Sequence, residues 1–105
     1  MFRVEVVEAS GGITMTVEGR FVGVYADEAK QLIVRRKIPA DLTVDISEVT
    51  YVDSVGELAL TWLRQIGAKF VADNSYSLDV CERLHLPVIK NRDVPPESFS
   101  GAQAW

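Results

Sequence analysis

Leu42-Thr43-Val44-Asp45-Ile46-Ser47-Glu48-Val49-Thr50-Tyr51-Val52-Asp53-Ser54-Val55-Gly56 is the stretch whose reading decides the fold. Residues 42–46 are mostly apolar and β-branched, the composition of a strand in the middle of a sheet. Residues 47–52 read as a loop carrying Val49 and Val52. A helix follows over 55–66, where Val55, Leu58, Ala59, Trp62, Leu63 and Ile66 form a broad apolar stripe. Glu57, Thr61, Arg64 and Gln65 fall largely opposite it, and Leu60 drops off the stripe and is expected at the surface. Gly67 is a natural stop. Ser54-Val55-Gly56-Glu57 has the form of a capping box, with serine at the N-cap and glutamate three residues on.

Working outward, residues 2–8 alternate Phe2, Val4 and Val6 against Arg3, Glu5 and Val7, the pattern of a half-buried strand. Ser10-Gly11-Gly12 marks a turn, and Ile13, Met15 and Val17 alternate with Thr14, Thr16 and Glu18. This predicts a β-hairpin ended by Gly19. A helix is expected over 26–36, with Asp27 and Glu28 in its first turn and Arg35 and Arg36 in its last, as the helix dipole favours. Residues 68–72 read as a further buried strand. Asp73-Asn74-Ser75 offers caps for a helix over 76–85, Pro87 ends it, and Val88-Ile89 is short enough only for a terminal strand. The order β-β-α-β-α-β-α-(β) implies an α/β domain with a mixed sheet of about four or five strands: a hairpin, then parallel crossovers, with helices mainly on one face. The domain is expected over residues 1–90, and 91–105 reads as an irregular tail.

The chain has 105 residues, 48% of them apolar, and a formal charge of −4 with acids and bases interspersed. The largest basic run, Arg35-Arg36-Lys37, suits a helix C-terminus better than a phosphate backbone, so nucleic acid is not an expected partner. No stretch approaches the ~20 apolar residues of a membrane span, so no direct membrane insertion is expected. A single cysteine, Cys81, and a start without a signal-peptide pattern point to a reducing cytoplasm.

The quoted segment resembles the STAS domain and, within it, the bacterial anti-sigma factor antagonists. The resemblance extends to the hairpin, to Gly19-Arg20-Phe21-Val22 before the next helix, and to the ending Val80-Cys81-Glu82-Arg83-Leu84-His85-Leu86-Pro87. It implies a signalling module in transcription regulation whose partner is an anti-sigma factor serine kinase. Ser54 matches the family's phosphorylated serine: the unmodified form binds the partner and the phosphorylated form releases it. The implied contact surface comprises Asp53, Gly56, Glu57, Leu60, Thr61 and Arg64 around the helix, with Phe21, Val22 and Tyr25 from a preceding loop. Gly56 is expected to let the partner approach closely. The chain departs from the family at Val22, where an acid that meets the kinase is usual, at Arg20, and at Glu57, where an apolar residue is usual.

Three other readings stay open. STAS subunits also attach to the ATPase of ABC lipid transporters without phosphorylation, which the absence of an acid at position 22 suits. The domain also fits a scaffold or homodimerisation unit in which Ser54 only caps a helix. Cys81 and His85, four residues apart, could share a helix face, yet no further Cys or His completes a metal site. Asp53 and Ser54 are neighbours and cannot flank one imidazole as a triad requires. No catalytic residue, metal or cofactor is therefore expected.

Overall fold

The computed structural model describes residues 2–9, 11–36 and 41–89. Strands β1 (Phe2–Ala9) and β2 (Gly12–Phe21) form the hairpin, and α1 (Gly23–Arg36) leads to β3 (Asp41–Val52). Helix α2 (Ser54–Gln65), β4 (Lys69–Val71) and α3 (Ser75–Leu84) complete the order. The sheet runs β1-β2-β3-β4, antiparallel between β1 and β2 and parallel thereafter. Val88 adds a single parallel bridge to Phe70 where a terminal strand was expected. The predicted mixed sheet and element order are thus both present. The tail expected over 91–105 lies outside the described residues.

Alternation builds one apolar face. Ile13, Met15 and Val17 of β2 and Leu42, Val44 and Ile46 of β3 are all buried, while Thr14 is exposed and Thr16, Thr43 and Asp45 are only partly covered. The helices pack on the apolar face, contributing Ala26, Ala29 and Ile33 from α1, Ala59, Leu60 and Leu63 from α2, and Val80 and Cys81 from α3.

The segment 47–52, expected as a loop, is strand. Two register shifts along the β2–β3 pairing each admit one extra residue on β3: Thr16 pairs with Asp45 but Glu18 with Glu48, and Gly19 with Val49 but Arg20 with Tyr51. Each bulge stretches the buried repeat from two residues to three, so that Ile46, Val49 and Val52 face the core in turn. At the first bulge the Asp45 carboxylate accepts from the Ser47 N–H at 2.9 Å. Nor does Gly19 end the hairpin: at φ 89° it continues β2 through an irregularity that other residues rarely adopt.

Two helix expectations also change. Helix α1 begins at Gly23, one turn before the expected position, so Asp27 and Glu28 lie in its second turn. Helix α2 is rotated from the predicted stripe. Leu60, expected exposed, is fully buried, whereas Leu58 is 71% exposed and Val55 and Ile66 are each 42% exposed. The helix buries the face that meets both α1 and the sheet, and Gly56, Ala59, Leu60 and Leu63 lie on it. Leu60→Ala is therefore expected to lose about 2–5 kcal/mol in urea unfolding, and Leu58→Ala no more than about 0.5 kcal/mol.

Candidate functional site

The C-terminal ends of β2 and β3 lie side by side, with Phe21 paired to Val52, and each runs directly into a helix. Two helix N-termini thus converge at the same end of the sheet. Crevices outside the carboxyl ends of parallel strands are where α/β sheets commonly bind ligands.

Asp53 joins the two starts. Its backbone is extended (φ −94°, ψ −172°) and it is the N-cap of α2, its Oδ1 accepting from the Gly56 N–H at 2.8 Å. The same carboxylate accepts from the Gly23 N–H, at 3.2 Å to Oδ2 and 3.4 Å to Oδ1. One acidic side chain therefore satisfies a donor at the head of α2 and another at the head of α1. The cap is Asp53 and not Ser54, which corrects the expectation drawn from the Ser-x-x-Glu pattern. Ser54 occupies the first helical position and is exposed.

Gly56 has an internal role. A Cβ there would stand 2.1 Å from the Phe21 carbonyl oxygen and 2.9 Å from Val52 Cγ1. The glycine is buried and lets the first turn of α2 lie against the ends of β2 and β3, so it offers no surface to a partner. Phe21, expected in a contact loop, is the fully buried last residue of β2. Val22 is the single residue between strand and helix, and its carbonyl accepts from the Tyr25 and Ala26 N–H groups at 3.0 and 3.2 Å. Tyr25 is partly exposed and stacks on Phe2, with ring centroids 5.1 Å apart at 16°.

Glu57 is held by Arg83 at 2.9 Å, and Arg83 also reaches Asp79 at 3.1 Å. These two carboxylates raise the guanidinium's already high pKa. Thr61 and Arg64 are half-buried farther along α2. Of the expected contact set, Ser54, Asp53, Val22 and Tyr25 gather around the two helix starts, Glu57, Thr61 and Arg64 line the flank, and Phe21, Gly56 and Leu60 are core.

Contacts that the sequence does not announce complete the site. The Tyr76 hydroxyl accepts from the Val52 N–H at 2.8 Å, fixing the chain immediately before Asp53. Asn74 caps α3 and donates to the Ser47 carbonyl at 2.6 Å, which ties that helix to the first bulge. Arg20 lies 5.4 Å from the Tyr51 ring centroid at the site's rim. Val24 is 64% exposed, and Val55 and Leu58 line a shallow groove between α1 and α2 with Asp27 and Lys30. The surface beside Ser54 is thus more apolar than the predicted stripe allowed.

Cys81 and His85 lie in different surroundings. Cys81 is buried, and burial pushes its thiol up to about 11, away from the thiolate form a nucleophile needs. His85 is the exposed left-handed C-cap of α3 (φ 58°). Among the described residues no group of three or more His, Cys, Asp and Glu side chains is suited to hold a metal ion. No helix among them is long and apolar enough to cross a membrane.

No family profile and no curated protein sequence matches the chain. Solved structures do. An uncharacterised protein of the DUF3478 family with a SpoIIAA-like fold, from Shewanella loihica PV-4, superposes with a TM-score of 0.52 at 9% identity, covering 97% of this chain and 86% of that one. The anti-sigma factor antagonist SpoIIAA in its unphosphorylated form superposes with a TM-score of 0.53 at 9% identity, covering 94% and 87%. The chain therefore has the SpoIIAA-like α/β fold that its residues predict.

Urea unfolding separates the roles at the site. Asp53→Ala, which removes the shared cap, is expected to lose about 1–2 kcal/mol, and Tyr76→Phe about 1–3 kcal/mol by stranding the Val52 N–H. Ser54→Ala is expected to change stability by no more than about 0.5 kcal/mol, because its hydroxyl is not the cap. Alkylation by iodoacetamide at pH 8 should leave Cys81 largely unmodified in the folded protein and modify it fully in denaturant.

Proposed function

We propose that this domain is a reversible protein-binding module of the anti-sigma factor antagonist kind, with its partner affinity controlled by phosphorylation of Ser54. The observation that carries this reading is the exposed Ser54 hydroxyl at the head of α2, directly after the carboxylate that joins two helix starts. A kinase can reach such a hydroxyl without unfolding the helix. The positive ends of two helix dipoles meet there, which favours a phosphate on the N-terminal turn. The modification adds about −1.5 to −2 units of charge beside the apolar Val55 and Leu58. A partner burying that patch would have to desolvate the new charge, so affinity falls while the fold persists. The SpoIIAA-like fold supports the same reading, since SpoIIAA is an anti-sigma factor antagonist described in an unphosphorylated form.

The binding surface in this reading is Ser54, Val55 and Leu58 with Val22, Val24 and Tyr25, flanked by Glu57, Thr61 and Arg64. Asp53 acts by holding the two helix starts. The partner is an anti-sigma factor serine kinase, and the setting is transcription regulation in a bacterial cytoplasm. A second reading is favoured by Val22: with no acid at this position, the module would bind the ATPase of an ABC lipid transporter and need no phosphate.

The decisive experiment measures binding of the candidate serine kinase by calorimetry to the wild type, Ser54→Ala and Ser54→Asp. Wild type and Ser54→Ala are expected to bind alike and Ser54→Asp about tenfold or more weaker. Incubation with the kinase and ATP should phosphorylate the wild type and leave Ser54→Ala unmodified. Equal binding of all three variants by a transporter ATPase, with no phosphorylation, would select the second reading.

A further inference from the structure

The opposite side of α1 carries a different pattern. Strand β1 is the sheet edge: it pairs with β2 without interruption from Phe2 to Ala9 and with no other strand among the described residues. Its outer backbone groups are a template for another strand. Its core-side residues Phe2, Val4 and Val6 are only half-buried, while Arg3, Glu5 and Val7 are exposed on the other face. Val4 also lines a groove with Asp27, Glu28, Gln31, Leu32 and Arg35 of α1. Residues 28, 31, 32 and 35 form one stripe along that helix.

We propose that this edge binds a second copy of the same chain, β1 against β1 and α1 against α1, around a two-fold axis at Val4. The charges choose this partner and this register. In an antiparallel pair, opposed residues point to the same face, so a two-fold joins only residues of like parity. Centring on Val4 sets Arg3 against Glu5 twice, Phe2 against Val6 twice, and Val4 against itself. The neighbouring register centred on Glu5 opposes two glutamates, and the one centred on Arg3 opposes two arginines. Centring on Val6 sets Val4 against the carboxylate of Glu8. Only the Val4 register matches opposite charges on one face and apolar groups on the other.

Helix α1 gives the same answer independently. Its stripe has exposed Glu28 at one end and exposed Arg35 at the other, with half-buried Gln31 and Leu32 between. An antiparallel copy placed across an axis at Gln31 and Leu32 brings Glu28 against Arg35 twice. Val4 shares a groove with these residues, so one axis serves both the strand and the helix. Arg36 is already engaged by Glu8, leaving Arg35 for the second copy. Arg3 lies only loosely, at 4.0 Å, from Glu5 and Glu18 of its own chain and can exchange such exposed contacts for those of the second copy. Such an isologous contact closes on itself as a dimer, and it lies across α1 from the groove that holds Val55 and Leu58.

Sedimentation velocity of the full chain over micromolar to millimolar concentration tests this, with circular dichroism to verify folding of each variant. The wild type is expected to sediment as a species of twice the monomer mass. Glu28→Arg and Arg35→Glu should each weaken the dimer about tenfold or more, because the symmetry turns two attractions into two repulsions at once. The double swap Glu28→Arg/Arg35→Glu should restore it. Arg3→Glu, Glu5→Arg and their combination should follow the same pattern on the strand. A wild type that stays monomeric throughout would overturn the proposal, as would single reversals that dimerise like the wild type or double swaps that fail to rescue folded variants.

Discussion

The Asp53 carboxylate is the interaction on which the arrangement of this domain turns. Its two oxygens receive N–H groups from Gly56, three residues ahead, and from Gly23, thirty residues back. A helix start ordinarily leaves its first N–H groups without partners inside the helix. Here one side chain serves two such starts and fixes where α1 and α2 leave the sheet. Ser54 follows as the first residue of α2 and is exposed, its neighbour having taken the capping role.

Support converges on the same point from the core. Gly56 brings the α2 backbone against the Phe21 carbonyl, and Tyr76 holds the Val52 N–H one residue before Asp53. Three elements distant in sequence thus fix a four-residue turn. The two bulges on β3 are part of the same construction: strict alternation after Ile46 would turn Glu48 and Thr50 inward, whereas the three-residue steps bring in Val49 and then Val52 at the strand's end. The proposed modification of Ser54 would therefore add charge to a turn held from several sides.

The class of the fold was legible from hydrophobic patterning alone. The hairpin, the buried run from Leu42 to Ile46 and the three helical segments all announce themselves by period. What patterning missed follows from physics that a period cannot carry. Bulges broke the alternation over 47–52, so a strand looked like a loop. Helix α2 carries apolar residues on more than one face, and periodicity weighted Leu58 and Leu60 the wrong way around. The Ser-x-x-Glu pattern placed the cap one residue late: Asp53 caps α2 through the Gly56 N–H and also takes the Gly23 N–H, which only the tertiary fold brings in. Gly56 read as an invitation to a partner, but its neighbour is the protein's own Phe21. Tyr76 gave no signal at all, because its hydrogen bond spans twenty-four residues.

In the proposed function, the corner capped by Asp53 carries one exposed serine beside apolar Val55 and Leu58 and is switched by charge at that serine. The most direct measurement is a comparison of backbone amide spectra of the protein with and without a phosphoserine installed at position 54. Shifts are expected only in the first turn of α2, at Gly23 and in their immediate neighbours, with the amides of Met15, Val44 and Leu63 unmoved. Shifts spread through the sheet and helices, or loss of the folded spectrum, would contradict this.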